Sequence, residues 1–168
     1  MNRNKKLANM AMLVALAMIF SYVESLIPIN FGVPGMKLGV ANLVTVTGLY
    51  FLKTPEVLAV SVLRVLLTGF IFGNGMSIIY SLAGAVVSLL AMALVKKMDG
   101  ISIVGVSITG GVFHNIGQIL VAMSVVETLK LIYYLPVLLV AGTVTGFVIG
   151  IVAGKILPVV KKEAVRTV

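Results

Sequence analysis

Six long apolar segments, cut apart by proline, glycine and basic residues, make up most of this chain. They fall near residues 7–27, 38–52, 55–72, 77–95, 103–126 and 131–157. A run of about 20 apolar residues is the length that crosses a bilayer as a helix. Only 11% of the residues are charged against 60% hydrophobic, where a soluble domain carries about 25% charged. So little polar material cannot cover a water-facing surface. The reading is an all-α membrane protein: one integral membrane domain over residues 1–168, a bundle of six transmembrane helices. The second segment is short for a span, which suits a helix that is tilted, broken or shielded by protein. The N-terminus has the basic start and apolar run of a signal peptide. It lacks a convincing small-residue cleavage site before "ESLIP", and is read as a retained first helix.

Basic residues orient the bundle. Arg3, Lys5, Lys6, Lys53, Lys96, Lys97, Lys161, Lys162 and Arg166 fall on one side of a six-span arrangement, with Lys155 near it; Lys37 and Lys130 fall on the other. The positive-inside rule then places both termini in the cytoplasm of a multi-pass protein of the cell membrane. The net charge of +8 is a topology signal rather than a nucleic-acid patch, so no nucleic-acid partner is expected. With no cysteine and a single histidine, no metal site or other cofactor is expected.

Two helix faces are built for close approach. Gly142, Gly146, Gly150 and Gly154 recur every four residues on the last span, and Ala8, Ala11 and Ala15 share a face of the first. Small-residue stripes let helix backbones approach in lipid. They serve packing within the monomer or contact with another subunit.

Ionisable side chains within spans are expensive and are functional candidates by default. Arg64 lies mid-span in "VLRVLLTG" and keeps its charge at any ordinary pH. It needs an anion, a set of carbonyls or water: Glu24 near the outer end of the first span is the internal choice and a bound anion the alternative, and the two are compatible if the ligand displaces Glu24. His114 and Gln118 are four residues apart and share a helix face, with Asn115 adjacent. They tie helices together or line a polar pocket. The stretch "IPINFGVPGMKLGVANL" opposes helix until about Leu38 and carries Lys37 and Asn42. It reads as a capping loop that holds an anion, or as a turn with an interfacial lysine.

Together, "PGMKLGVANL", "VLRVLLTG", "YSLAGAVVS" and "HNIGQIL" resemble the Gx transporter family, often labelled heptaprenyl diphosphate synthase component I. That family is similar to the substrate-binding S components of energy-coupling factor (ECF) importers. The resemblance implies a six-helix S-component bundle with a ligand pocket near the outer face. It implies docking through Ala11 and Ala15 on a transmembrane scaffold (T) subunit powered by two cytoplasmic ATPases. The expected ligand is small and anionic or amphiphilic, such as an isoprenoid phosphate, a vitamin or a quinone precursor. Lys37, Arg64, His114, Asn115, Gln118, Glu24 and Asn42 would contact it, with Tyr22, Phe31, Tyr50 and Tyr80 as aromatic walls. No enzymatic activity is expected. Asp99 is the only aspartate, no carboxylate pair is placed for metal or acid–base work, and the phosphate-binding sequence G-x-x-x-x-G-K-[ST] is absent. An accessory membrane subunit of heptaprenyl diphosphate biosynthesis and a self-contained oligomeric transporter are the alternatives.

Overall fold

The computed structural model describes residues 3–26 and 39–166. Within them the chain is helical: α1 (Arg3–Leu26), α2 (Asn42–Leu49), α3 (Thr54–Phe72), α4 (Gly75–Val95), α5 (Ile103–Val125), a 3₁₀ helix (Leu129–Tyr134) and α6 (Leu135–Arg166). Five of these segments are long and apolar enough to cross a membrane: α1, α3, α4, α5, and the 3₁₀ helix with α6. The protein is therefore compatible with a multi-pass membrane protein.

The second expected span, residues 38–52, is not a full-length helix. Its α-helical part, α2, has eight residues, and every one is buried. Eight residues rise about 12 Å, well short of the ~30 Å hydrocarbon core. The segment survives because α2 touches α1, α3, α4, α5 and α6, which shield its backbone polar groups from lipid. α1, by contrast, packs on α2 and α3 alone among the described helices. The long helices thus wrap a central short one, and no described helix covers the remaining face of α1.

The sixth expected span, 131–157, also shifts. Residues Leu129–Tyr134 form a 3₁₀ helix with no buried residue, and α6 starts at Leu135. Pro136 stands in its first turn, where its missing N–H deprives no carbonyl of a bond. The helix runs on past the expected end at 157, with Pro158 inside it. A proline removes one hydrogen bond, and a helix that is already propagating can continue past it.

The glycine stripe of α6 packs within the monomer. Cβ atoms on Gly146 and Gly150 would lie 2.6 Å from Ile108 Cα and 2.7 Å from Val104 Cα, and one on Gly142 2.6 Å from the Gly111 carbonyl oxygen. α5 and α6 are therefore in backbone contact over about two turns. α4 meets the other side of α5, where Ser88 Oγ donates to the Gly110 carbonyl (2.8 Å). At one end of the bundle the starts of α1 and α3 meet through the Lys6–Glu56 ion pair. The ends of α2 and α4 meet there through Lys96, whose ammonium donates to the Leu49 carbonyl.

Candidate functional site

Charged and amide side chains belong on the surface unless something satisfies them. In this bundle Ser21, Glu24, Asn42, Arg64, His114, Asn115 and Gln118 are all buried.

The junction starts at Gly39. Its φ of +85° is a left-handed conformation that glycine adopts without penalty. The bend aims its N–H at Glu24 Oε1 on α1 (2.5 Å), and its carbonyl accepts from Asn42 N at the start of α2 (2.8 Å). A Cβ on Gly39 would lie 3.3 Å from His114 Cδ2 and 3.3 Å from Asn42 Nδ2. On the far side of the imidazole, a Cβ on Gly84 of α4 would lie 2.9 Å from His114 Cε1 and 3.0 Å from Gln118 Cγ. The ring of His114 is thus held between two glycines, and Gln118 follows one turn along α5. α1, α2, α4 and α5 converge here because Gly39 and Gly84 carry no side chain to keep them apart.

Arg64 approaches from α3. Its Nη1 donates to Ser21 Oγ (3.3 Å). Ser21 and Glu24 lie three residues apart on one face of α1, and the Glu24 carboxylate acts on the guanidinium electrostatically. α2 and α3 touch through Thr45 Oγ1 and Ser61 Oγ (3.3 Å). The two helices run in opposite directions across a four-residue link, residues 50–53. One turn from that contact, in the same direction along the bundle, come Asn42 on α2 and Arg64 on α3. Arg64 and Asn42 therefore occupy one level of the interior.

Three of these side chains keep buried polar atoms with no hydrogen-bond partner among the described residues: Asn42 Nδ2, Arg64 Nη2, and both Nε2 and Oε1 of Gln118. Such atoms cost about 1–3 kcal/mol each when left unmade, more when charged. Donors outnumber acceptors in the set, and one donor is cationic. Donors of this kind are the chemical complement of an anion's oxygens.

Not every expected residue joins it. Asn115 faces α6, where Nδ2 donates to the Leu138 carbonyl (2.7 Å); that contact is a helix–helix tie. Tyr50 lies at the opposite end from Glu24, with Lys96 Nζ 4.9 Å from its ring centroid. Tyr22 is exposed beside Phe72, ring centroids 4.9 Å apart. Neither walls the polar interior. Tyr80 is buried against Ile119, Ala122 and Leu138. Lys37 and Phe31 lie outside the described residues. Three participants were not anticipated: Ser21, Gly39 and Gly84. Ser21 lies three residues before Glu24, but a lone serine in an apolar helix carries no signal by itself; Gly84 stands in the quoted "YSLAGAVVS".

Ala8, Ala11 and Ala15 are exposed on α1. Ala11 and Ala15 line a groove of about 400 Å³ together with Met18 of α1 and Ala59 and Leu63 of α3. Its walls are apolar throughout.

Residues 13–156 match the family described as heptaprenyl diphosphate synthase component I. The chain belongs to that family. No curated protein and no solved structure matches it.

Proposed function

We propose that this member of the heptaprenyl diphosphate synthase component I family is a membrane-embedded substrate-binding subunit of an ECF-type importer. It takes a small anionic or amphiphilic ligand, an isoprenoid phosphate being the first choice. The observation that carries the reading is the set of buried polar atoms on Asn42, Arg64 and Gln118 that have no hydrogen-bond partner among the described residues. Arg64 binds the anionic group, Asn42 and Gln118 hydrogen-bond its oxygens, and Glu24 and His114 fix Gly39 and the entry to α2. Lys37, which precedes α2 in the sequence, supplies a second cation. The chain performs no chemistry on the ligand. Both termini lie on the cytoplasmic side of the cell membrane, where the basic residues gather.

The family's description favours a second reading, an accessory membrane subunit that presents an isoprenoid substrate to a heptaprenyl diphosphate synthase. Both readings use the same interior site; they differ in the partner. Purification in mild detergent followed by native mass spectrometry separates them. The proposal expects a retained anionic small molecule and a co-purifying scaffold with two ATPases. A soluble synthase in their place would select the second reading, and the chain with neither ligand nor partner would defeat both.

The scaffold docks on the uncovered face of α1. Leucine at Ala11 and Ala15 fills the apolar groove and prevents close backbone approach. The Ala11→Leu/Ala15→Leu protein is expected to lose scaffold co-purification and transport while still binding ligand in isolation. Unimpaired transport would remove α1 as the docking surface.

Gln118 and Asn115 are expected to differ in thermal melts with farnesyl phosphate as probe. Asn115→Ala loses an interhelical hydrogen bond of about 0.6–2 kcal/mol, so its melting temperature falls equally with and without probe. Gln118→Leu replaces a buried amide that has no partner among the described residues by an apolar group of similar size, which is near neutral for the fold. Its baseline should hold, while the probe-induced shift, which follows RT ln(1 + [L]/Kd), shrinks. A lowered baseline with a full probe shift for Gln118→Leu would make it a packing residue.

A further inference from the structure

The basic end of the bundle carries a second cavity, remote from the Arg64 site. It has a volume of about 530 Å³, and Lys6, Tyr50, Lys53, Glu56 and Lys96 are among its walls. Four helix ends converge there: the starts of α1 and α3 and the ends of α2 and α4. We propose that this cavity binds a phosphate group through Lys53 and Lys96, and that its occupant is the headgroup of an anionic phospholipid.

The charge of the walls comes first. Three lysines and one glutamate line the same cavity. Glu56 pairs with Lys6, so the walls carry a positive surplus. A concave surface with apolar neighbours such as Leu49, Phe51 and Leu52 concentrates that field. Pre-organisation comes second. The Leu49 carbonyl accepts from the Lys96 ammonium, which also lies 4.9 Å from the centroid of the Tyr50 ring. These contacts hold a long, flexible side chain in one place, so less entropy is lost when an anion arrives. Position comes third. The cavity lies where the apolar helices α1 and α3 begin and α4 ends, and the ends of membrane-spanning helices meet the lipid headgroups. Basic pockets between transmembrane helices take anionic head groups. A lipid reaches this cavity sideways from the bilayer, with its chains remaining among the apolar helix faces.

The test uses the purified full chain in neutral detergent, exposed to equal amounts of dioleoyl phosphatidylglycerol and dioleoyl phosphatidylcholine and read by native mass spectrometry. Wild type should retain the anionic lipid in preference. The preference should fall by about fivefold per lysine removed in K53Q and in K53Q/K96Q. Lys53 is exposed, so K53Q alone should fold even if the double variant does not. The pair K155Q/K162Q removes two charges outside the cavity and should leave the preference intact. Millimolar inorganic phosphate distinguishes the source. Displacement of the lipid by phosphate, with a melting shift abolished in K53Q, would keep the phosphate site but overturn the lipid as its occupant. Equal retention of the two lipids by wild type, or equal loss in K155Q/K162Q and K53Q/K96Q, would overturn the site.

Discussion

Gly111→Val should fail to produce a stably folded protein. A Cβ at Gly111 would collide with the Gly142 carbonyl oxygen, and would lie 3.3 Å from Gly146 N. Both obstacles are backbone, so no rotamer change relieves them, and α5 and α6 would have to separate. Overpacking that side chains can absorb costs about 1–3 kcal/mol; this substitution should exceed about 3 kcal/mol on the same scale. The separation would also disturb the Asn115–Leu138 bond one turn away. Gly154→Ala is the matched control. A Cβ there meets Ile103 Cγ2 at 3.4 Å, an ordinary contact, and Ala also favours helix. Monodisperse elution and thermal melts in detergent read both proteins. A Gly111→Val chain that elutes and melts like wild type would refute the backbone contact between α5 and α6.

That contact was legible as a pattern and illegible as a partner. Glycine every four residues on one helix marks a face for close approach, yet periodicity on α6 carries no information about which helix fills it. The same limit separates Asn115 from His114 and Gln118. All three lie within five residues of one helix, but α5 is contacted from two sides. Gly111 and Asn115 turn to α6, while His114, Gly117 and Gln118 turn to α4. Spacing gives angles around a helix axis, and tertiary packing decides what stands at each angle. α2 was obscured for a related reason. An apolar stretch reads alike whether lipid or protein covers it, and the eight buried residues of α2 owe their surroundings to the five helices around them. Arg64 and Glu24, by contrast, stood out as charges in apolar runs. The intervening Ser21 did not, because a serine within a membrane helix is unremarkable until a guanidinium is found 3.3 Å away.

Arg64 is expected to dominate ligand affinity. It is buried and cationic, and its Nη2 lacks a hydrogen-bond partner among the described residues. Hydrogen bonds to charged groups contribute about 1.5–3 kcal/mol, and 1.4 kcal/mol corresponds to about tenfold in affinity. Arg64→Ala should therefore weaken binding of an isoprenoid phosphate by at least about tenfold. Lysine should rescue only in part, because a point charge cannot supply the planar fork that reaches Ser21 and ligand together. Removing the charge also relieves the cost of burying it, so the free protein should not lose stability in proportion. Isothermal titration of wild-type, Arg64→Lys and Arg64→Ala proteins with farnesyl phosphate, each checked for a cooperative melt, is the most direct measurement. The account predicts tight, intermediate and weak or undetectable binding in that order; measurable wild-type binding with equal affinity in a well-folded Arg64→Ala protein would contradict it.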